Sequence, residues 1–309
     1  MIDKNTRIAV TSRSFSRNSL LREELLSKYK QVTFNDDGLQ LQGDTLIKFL
    51  KGHQKAITAL EIIDDYVLSQ LPELNVISKY GVGTDMIDMI AIGKYGKKFG
   101  WTGGVNRRSV SELVISFAIA LLRHVPASHR EVLSGTWRQH VGGHLSGKTV
   151  GVIGCGHIGK DLIKLLQPFE CSILVNDICK YEDFYNKYNV EDLEKEELLE
   201  RSDIVTLHVP LDQSTQNMLS IDRLALMKKS AILINVARGG LVDEIALKNM
   251  LLNNRLAGAA FDVFLVEPPQ DQELLSLPNF LVTPHIGGSA QESILAMGRS
   301  AIQGLEVFS

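Results

Sequence analysis

Cysteine is scarce in this sequence, with three in 309 residues, at positions 155, 171 and 179. That number and spacing exclude a disulfide framework and a zinc site, so no metal is expected. All three read as small core hydrophobes. No apolar run approaches the ~20 residues needed to span a bilayer. The amino terminus, Met1-Ile-Asp-Lys-Asn-Thr-Arg, lacks the apolar core of a signal peptide. Together these absences predict a cytoplasmic protein with no membrane partner. A large excess of charge is missing too, and a net charge of −3 gives no support for a nucleic-acid partner. Repeats and low-complexity tracts are absent. What remains is ordinary for a globular chain, 44% hydrophobic and 22% charged, and long enough for two domains.

The most informative segment lies mid-chain. Residues 148–159 read Lys-Thr-Val-Gly-Val-Ile-Gly-Cys-Gly-His-Ile-Gly, a β-branched run that breaks into Gly154-x-Gly156-x-x-Gly159. Eighteen residues later, Asp177 closes a second apolar run. Strand, glycine turn, helix, strand and acid in that order form a dinucleotide-binding pattern. Gly154 permits the tight turn, Gly156 lets the backbone approach a pyrophosphate, and Gly159 allows close helix–strand packing. The helix from His157 onward turns its free N–H groups toward the phosphates. Asp177 would accept hydrogen bonds from an adenosine ribose and repel a 2′-phosphate, which favours NAD over NADP. Lys180 weighs the other way.

On either side of this unit, short strands alternate with helices. Before it, strands are expected at 7–10, 31–34, 56–60, 76–78 and 98–101. Helices are expected at 20–28, 44–50, 64–71 and 86–91, with Asp44 and Asp64 suited to N-capping. A helix apolar on most faces follows at 110–124; it reads as buried, in part across a dimer interface. After it, strands are expected at 149–153, 173–176, 204–207, 231–235, 258–261 and 280–283. The acid-rich stretch 192–200 reads as a solvated helix face, and the tail 290–308 has helical spacing. Alternating elements of this kind imply α/β units with mostly parallel sheets.

Three segments place polar residues just past expected strand ends, where open α/β sheets bind ligands. They are Ile-Leu-Ile-Asn-Val-Ala-Arg-Gly-Gly-Leu-Val-Asp-Glu at 232–244, Gly-Ala-Ala-Phe-Asp-Val-Phe-Leu-Val-Glu-Pro-Pro at 258–269, and Phe-Leu-Val-Thr-Pro-His-Ile-Gly-Gly at 280–288. Taken singly, Arg238 reads equally as a surface ion-pair residue, Glu267 as a solvated loop acid, and His285 as a hydrogen-bonded core histidine. Taken together they supply what oxidation of a hydroxy acid needs: a cation for the carboxylate, a base for the hydroxyl proton, and a group that tunes the base.

In these segments the sequence resembles the D-isomer-specific 2-hydroxyacid dehydrogenases. Further matching motifs are Lys-Tyr-Gly-Val-Gly-Thr-Asp-Met-Ile-Asp at 79–88, Asn-Arg-Arg-Ser-Val-Ser-Glu-Leu at 106–113, Gly-Thr-Trp at 135–137 and His-Val-Pro-Leu at 208–211. The resemblance implies a Rossmann NAD-binding domain at 103–287, inserted into a flavodoxin-like substrate-binding domain made of 1–102 and 288–309. The two domains would close over the substrate, and two copies would form a homodimer. His285 then looks like the acid/base, and Glu267 like the partner that orients it and raises its basicity. Arg238 looks like the clamp on the substrate carboxylate, and Asp262 like the acceptor for the nicotinamide carboxamide. The implied cofactor contacts are Gly154, Gly156, His157, Ile158, Gly159, Asp177, His208, Val209, Pro210, Thr215, Val236, Ala237, Arg238, Asp262, His285, Gly287 and Gly288. The implied substrate contacts are Lys79, Tyr80, Gly81, Val82, Gly83 and Arg238, with Val82 and Gly83 acting as backbone donors.

Two positions depart from the family. His157 stands where an Arg is usual. Lys79 stands where members that oxidise phosphoglycerate often carry Arg, and a lysine would meet an anionic group as a point charge rather than a fork. With only a short stretch after Gly288, the regulatory domains of some phosphoglycerate dehydrogenases are not expected. The expected activity is reversible hydride transfer between NAD and a 2-hydroxy acid, 3-phosphoglycerate or a sugar acid by way of Lys79. Reduction of a small 2-keto acid such as glyoxylate or pyruvate, and a non-catalytic NAD(H)-sensing role, are the competing expectations.

Overall fold

The computed structural model describes residues 5–308. Residues 1–4, part of the segment read above for a leader, and Ser309 lie outside the described residues. The chain divides into two compact units, Met1–Asn106 with Ser289–Ser309, and Arg107–Gly288. The first boundary thus falls four residues beyond 102, because 103–106 contact the first unit and the second begins with a helix at Arg107.

The first unit is built on β1 (Arg7–Val10), β2 (Gln31–Phe34), β3 (Lys55–Thr58), β4 (Val76–Lys79) and β5 (Lys98–Gly100). All pair in parallel, in the order β2-β1-β3-β4-β5, which is the flavodoxin-like order. Side chains alternate across this sheet. Ile8 and Val10 join a core with Phe15, Leu21 and Tyr29, whereas Ala9 joins one with Leu46, Leu50 and Ile77. The tail helix Gln291–Gln303 packs on the same unit, with the Ser78 hydroxyl donating to the Ala301 carbonyl at 2.7 Å.

The second unit carries seven parallel strands. They are β6 (Thr149–Ile153), β7 (Ser172–Asn176), β8 (Val190–Asp192), β9 (Ile204–Leu207), β10 (Ile232–Asn235), β11 (Gly258–Phe261) and β12 (Phe280–Val282), in the order β12-β11-β10-β9-β6-β7-β8. This is the Rossmann order with one further strand. The β-branched runs of β6, β9 and β10 are buried on both faces, as a parallel sheet between helices requires.

Several local expectations are corrected. β8 was not foreseen, since Val-Glu-Asp is short and largely exposed; the acid-rich stretch therefore contains a strand end before the helix Lys195–Arg201. Asp64 caps its helix through Val67 N at 2.9 Å. Asp44 does not cap, because that helix starts a residue earlier behind Gln42. The long helix spans Arg107–Leu122, and His124, at φ +54°, turns the chain into a second helix, Val125–Leu133. Cys155 is buried and Cys171 half-buried, but Cys179 is exposed and is no core residue. Among the described residues no single helix is long and apolar enough to cross a membrane.

Candidate active site

Because all seven strands of the second unit run parallel, their carboxyl ends share one edge. Along that edge stand Gly154 after β6, Asp177 after β7, His208 after β9, Arg238 after β10, Asp262 after β11 and His285 after β12. The strand order separates them into two groups. The glycine loop and His208 lie at the β6–β9 switch, where the chain reverses direction across the sheet. Arg238, Asp262 and His285 follow neighbouring strands at the other end.

Asp262 organises the second group. Its buried carboxylate accepts from Thr283 Oγ1 at 2.5 Å, Ile286 N at 2.7 Å and Gly287 N at 2.7 Å. His285 N donates to the Asp262 carbonyl at 2.9 Å. These bonds hold His285 at φ +54°, in the left-handed region that non-glycine residues seldom occupy. With three acceptor positions filled, the Asp262 carboxylate keeps about one for a carboxamide N–H. The imidazole of His285 donates from Nδ1 to Glu267 Oε2 at 3.0 Å, while Glu267 Oε1 accepts from Phe264 N at 3.2 Å. A carboxylate only accepts, so Nδ1 carries the hydrogen and Nε2 is left for another partner. Both side chains are about half exposed, at 48% and 40%, which leaves them open to a ligand.

Arg238 sits on a turn fixed by the buried Asn235. The Asn235 amide donates to the Arg238 carbonyl at 2.8 Å and accepts from Ala237 N at 3.1 Å, so Val236 and Ala237 are buried within the turn. Arg238 Nη1 donates to the Ala237 carbonyl at 2.6 Å. Gly239 then passes so close to the main chain of Phe264 that a β-carbon would lie 1.9 Å from its carbonyl carbon. The Arg238 turn and the Glu267 loop are therefore packed backbone to backbone.

At the switch point, Gly154 has φ +99°, and a β-carbon there would lie 2.7 Å from the His208 carbonyl. A β-carbon on Gly159 would lie 2.2 Å from the Gly154 carbonyl oxygen, which confirms the close packing inferred for it. Gly156 differs, since a β-carbon there meets nothing within 4 Å. It precedes the helix His157–Leu166, whose first N–H groups receive no side-chain cap, and His157 is exposed. Open space at an uncapped helix amino terminus suits a pyrophosphate.

Asp177 accepts from Cys155 N at 2.5 Å and Cys179 N at 2.7 Å, tying the end of β7 to the glycine loop. Lys180 pairs with Asp192 at 2.6 Å. Burial pushes the Cys155 thiol up to about 12, so it stays protonated. His208 Nε2 lies 3.0 Å from Thr206 Oγ1, while Nδ1 is shielded from solvent with no partner among the described residues. Burial pushes this imidazole down to about 3, which keeps it neutral. An orphaned nitrogen beside an uncapped helix start fits a dinucleotide with polar groups to offer. Val209 is half-buried. Thr215 closes the next loop, donating to the Pro210 carbonyl at 2.7 Å and accepting from Asp212 N at 2.8 Å.

The helix Arg107–Leu122 braces both groups. Arg108 makes a two-pronged pair with the buried Asp161 of the glycine-loop helix, at 2.8 and 3.0 Å. Ser111 Oγ donates to the Ile158 carbonyl at 3.3 Å, and Ser109 Oγ donates to the Gly287 carbonyl at 2.7 Å. Sequence marked this segment as a motif and a buried helix but gave Arg108, Ser109 and Ser111 no role; Asn235 and Thr283 were not singled out at all. Asn235 works through main-chain groups two and three residues on, and Thr283 through the Asp262 carboxylate 21 residues back.

On the first unit, the residues expected to meet substrate lie at the end of β4. Lys79 is buried, and its Nζ donates to the carbonyls of Ala59 at 2.5 Å and Tyr80 at 3.1 Å. Tyr80 is also buried, with its hydroxyl 3.2 Å from Ser14 Oγ. Gly81, Val82 and Gly83 are half-buried.

Known proteins match this arrangement. The model of the D-isomer specific 2-hydroxyacid dehydrogenase NAD binding domain matches residues 115–287. A glyoxylate reductase from Pyrococcus horikoshii is 36% identical over 277 residues, covering 86% of this chain and 83% of the relative. A D-3-phosphoglycerate dehydrogenase from Bacillus subtilis is 36% identical over 240 residues, or 77% of this chain; the match spans less than half, 46%, of that longer protein. A crystal structure described as a putative NAD-binding D-isomer specific 2-hydroxyacid dehydrogenase from Polaromonas sp. superposes with a TM-score of 0.89 at 27% identity, covering 98% of this chain and 96% of the other. The chain belongs to the D-isomer-specific 2-hydroxyacid dehydrogenases, a family of NAD-dependent oxidoreductases acting on the CH–OH group of 2-hydroxy acids.

Proposed function

We propose that this protein interconverts a small 2-hydroxy acid and its 2-keto acid with NAD as hydride carrier. The His285–Glu267 pair, fixed on adjoining strand ends, is the observation that carries the proposal. NAD, when bound along this edge, would supply or take up the hydride at the substrate C2. Nε2 of His285 takes the hydroxyl proton in oxidation and returns it in reduction, while Glu267 holds the ring and stabilises its charged form. Arg238 binds the carboxylate and polarises the C2 oxygen. Gly156 through Gly159 take the pyrophosphate on their N–H groups, and Asp177 takes the adenosine ribose. On the first unit, the N–H groups of Val82 and Gly83 receive a carboxylate.

The substrate we favour is of glyoxylate or hydroxypyruvate type rather than a phosphorylated acid. Lys79, the cation that pointed to phosphoglycerate, already spends two of its hydrogens on the Ala59 and Tyr80 carbonyls. The protein would act in the cytoplasm as a homodimer. Supporting the dimer, Val125, Leu133, Trp137 and Val141 expose 51, 75, 87 and 95% of their surface along one stretch of the second unit.

NADH oxidation over glyoxylate, hydroxypyruvate, pyruvate and phosphohydroxypyruvate tests the assignment. Turnover is expected with the first two and should exceed that with the phosphorylated acid. Tight NADH binding with no turnover on the panel would favour a sensor instead.

A further inference from the structure

Four polar contacts converge on the turn that follows β4. Tyr80 N donates to the Thr58 carbonyl at 2.7 Å, continuing the β3–β4 ladder by one rung. Lys79 Nζ reaches back beneath the turn to the carbonyls of Ala59 and Tyr80, at 2.5 and 3.1 Å. Trp101 Nε1 donates to the Val82 carbonyl at 2.9 Å. Gly81, between them, has φ +115°, and a β-carbon there would stand 3.2 Å from the Lys79 ammonium. The carbonyls of Tyr80 and Val82 are thus both engaged by side chains of the first unit. The N–H groups of Gly81, Val82 and Gly83 have no acceptor among the described residues. Successive N–H groups freed in this way form a concavity suited to an anion.

We infer that Lys79 and Trp101 are positioning residues for this turn: they hold the Tyr80 and Val82 carbonyls so that the intervening N–H groups stay available to a substrate carboxylate. This rests on the reading above that Val82 and Gly83 receive that carboxylate. Lys79 makes a second contribution. Its buried Nζ, 3.2 Å from where a Gly81 β-carbon would stand, brings a cationic group close to these N–H groups, where screening by solvent is weak. Its task is therefore to build the receptor for the carboxylate common to all 2-keto acids, not to recognise a second anionic group on one of them.

The test compares Lys79→Met, Lys79→Gln and Trp101→Phe with the unaltered protein. Oxamate, a non-reacting carboxylate isostere, probes binding in the presence of NADH, and glyoxylate probes turnover. Lys79→Met should raise the oxamate Kd and the glyoxylate KM by tenfold or more, with the NADH Kd within twofold. Lys79→Gln, which keeps a donor but loses the charge, should fall between Lys79→Met and the unaltered protein. Trp101→Phe should raise the same two constants about threefold, and it keeps the test open should the Lys79 variants not fold. Unchanged oxamate binding and KM in Lys79→Met, or in Trp101→Phe if that is the only folded variant, would overturn the inference. If the unaltered protein binds NADH but neither binds oxamate nor reduces glyoxylate, the functional reading falls and the inference with it.

Discussion

Asp262 and Thr283 each stand one residue past the end of adjoining strands, β11 and β12, and the Thr283 hydroxyl donates to the Asp262 carboxylate at 2.5 Å. That bond closes a cage in which the same carboxylate takes Ile286 N and Gly287 N, while His285 N bonds to the Asp262 carbonyl. The histidine is thereby aimed by its main chain as well as by Glu267.

Thr283→Val removes this donor and leaves a buried carboxylate one partner short. The expected cost is about 1–2 kcal/mol in stability. The expected loss in kcat is on the order of tenfold, because the histidine turn loosens. Thr283→Ser should recover most of both, as read by urea denaturation and steady-state NADH oxidation.

Arg108→Met should destabilise the second unit by about 2–3 kcal/mol, since it strands the buried Asp161 carboxylate that Arg108 grips with two nitrogens. Asp161→Leu removes the buried charge itself and should cost less. Equal losses in thermal denaturation would contradict this account of the pair.

His208 sets a pH dependence. Its imidazole is held near 3 by burial, well below the ordinary 6.5. Below pH 6.5 the unfolded chain takes up a proton that the folded chain refuses, so stability from this site is present above 6.5 and fades as pH falls toward 3. Between pH 7 and pH 5 the loss is about 2 kcal/mol at most. The stability of His208→Gln should therefore fall less steeply over that interval than that of the unaltered protein.

Asp177→Ser should lower the preference for NAD over NADP about tenfold in kcat/KM by removing the charge that repels a 2′-phosphate. Lys180 is held by Asp192, so the substitution alone should not produce a strong NADP enzyme. An unchanged cofactor ratio would remove Asp177 from this role.

Much of this was legible in the chain. The two α/β series could be read because their strands are compact β-branched runs bounded by glycine, aspartate or asparagine. The site residues could be read because Arg238, Glu267 and His285 each follow such a run. β8 escaped because Val-Glu-Asp carries no apolar signal. Arg107 and Arg108 hid the start of their helix, and the partner of Arg108 lies 53 residues away. Lys79 reads as a cation available to substrate until the carbonyls of Ala59 and Tyr80 are seen around it. Thr283 acts on a side chain brought close only by parallel strand pairing, which local spacing does not record, and Asn235 acts through a turn closed by its own amide, which carries no periodic signal.

The most direct test of the central claim is single-turnover oxidation of bound NADH by a 2-keto acid in His285→Asn. Asparagine keeps a polar side chain but cannot transfer a proton at Nε2. NADH should bind within a fewfold of its normal affinity, while the rate falls by about 10²–10⁴. A rate close to that of the unaltered protein would contradict the assignment of His285 as the acid/base.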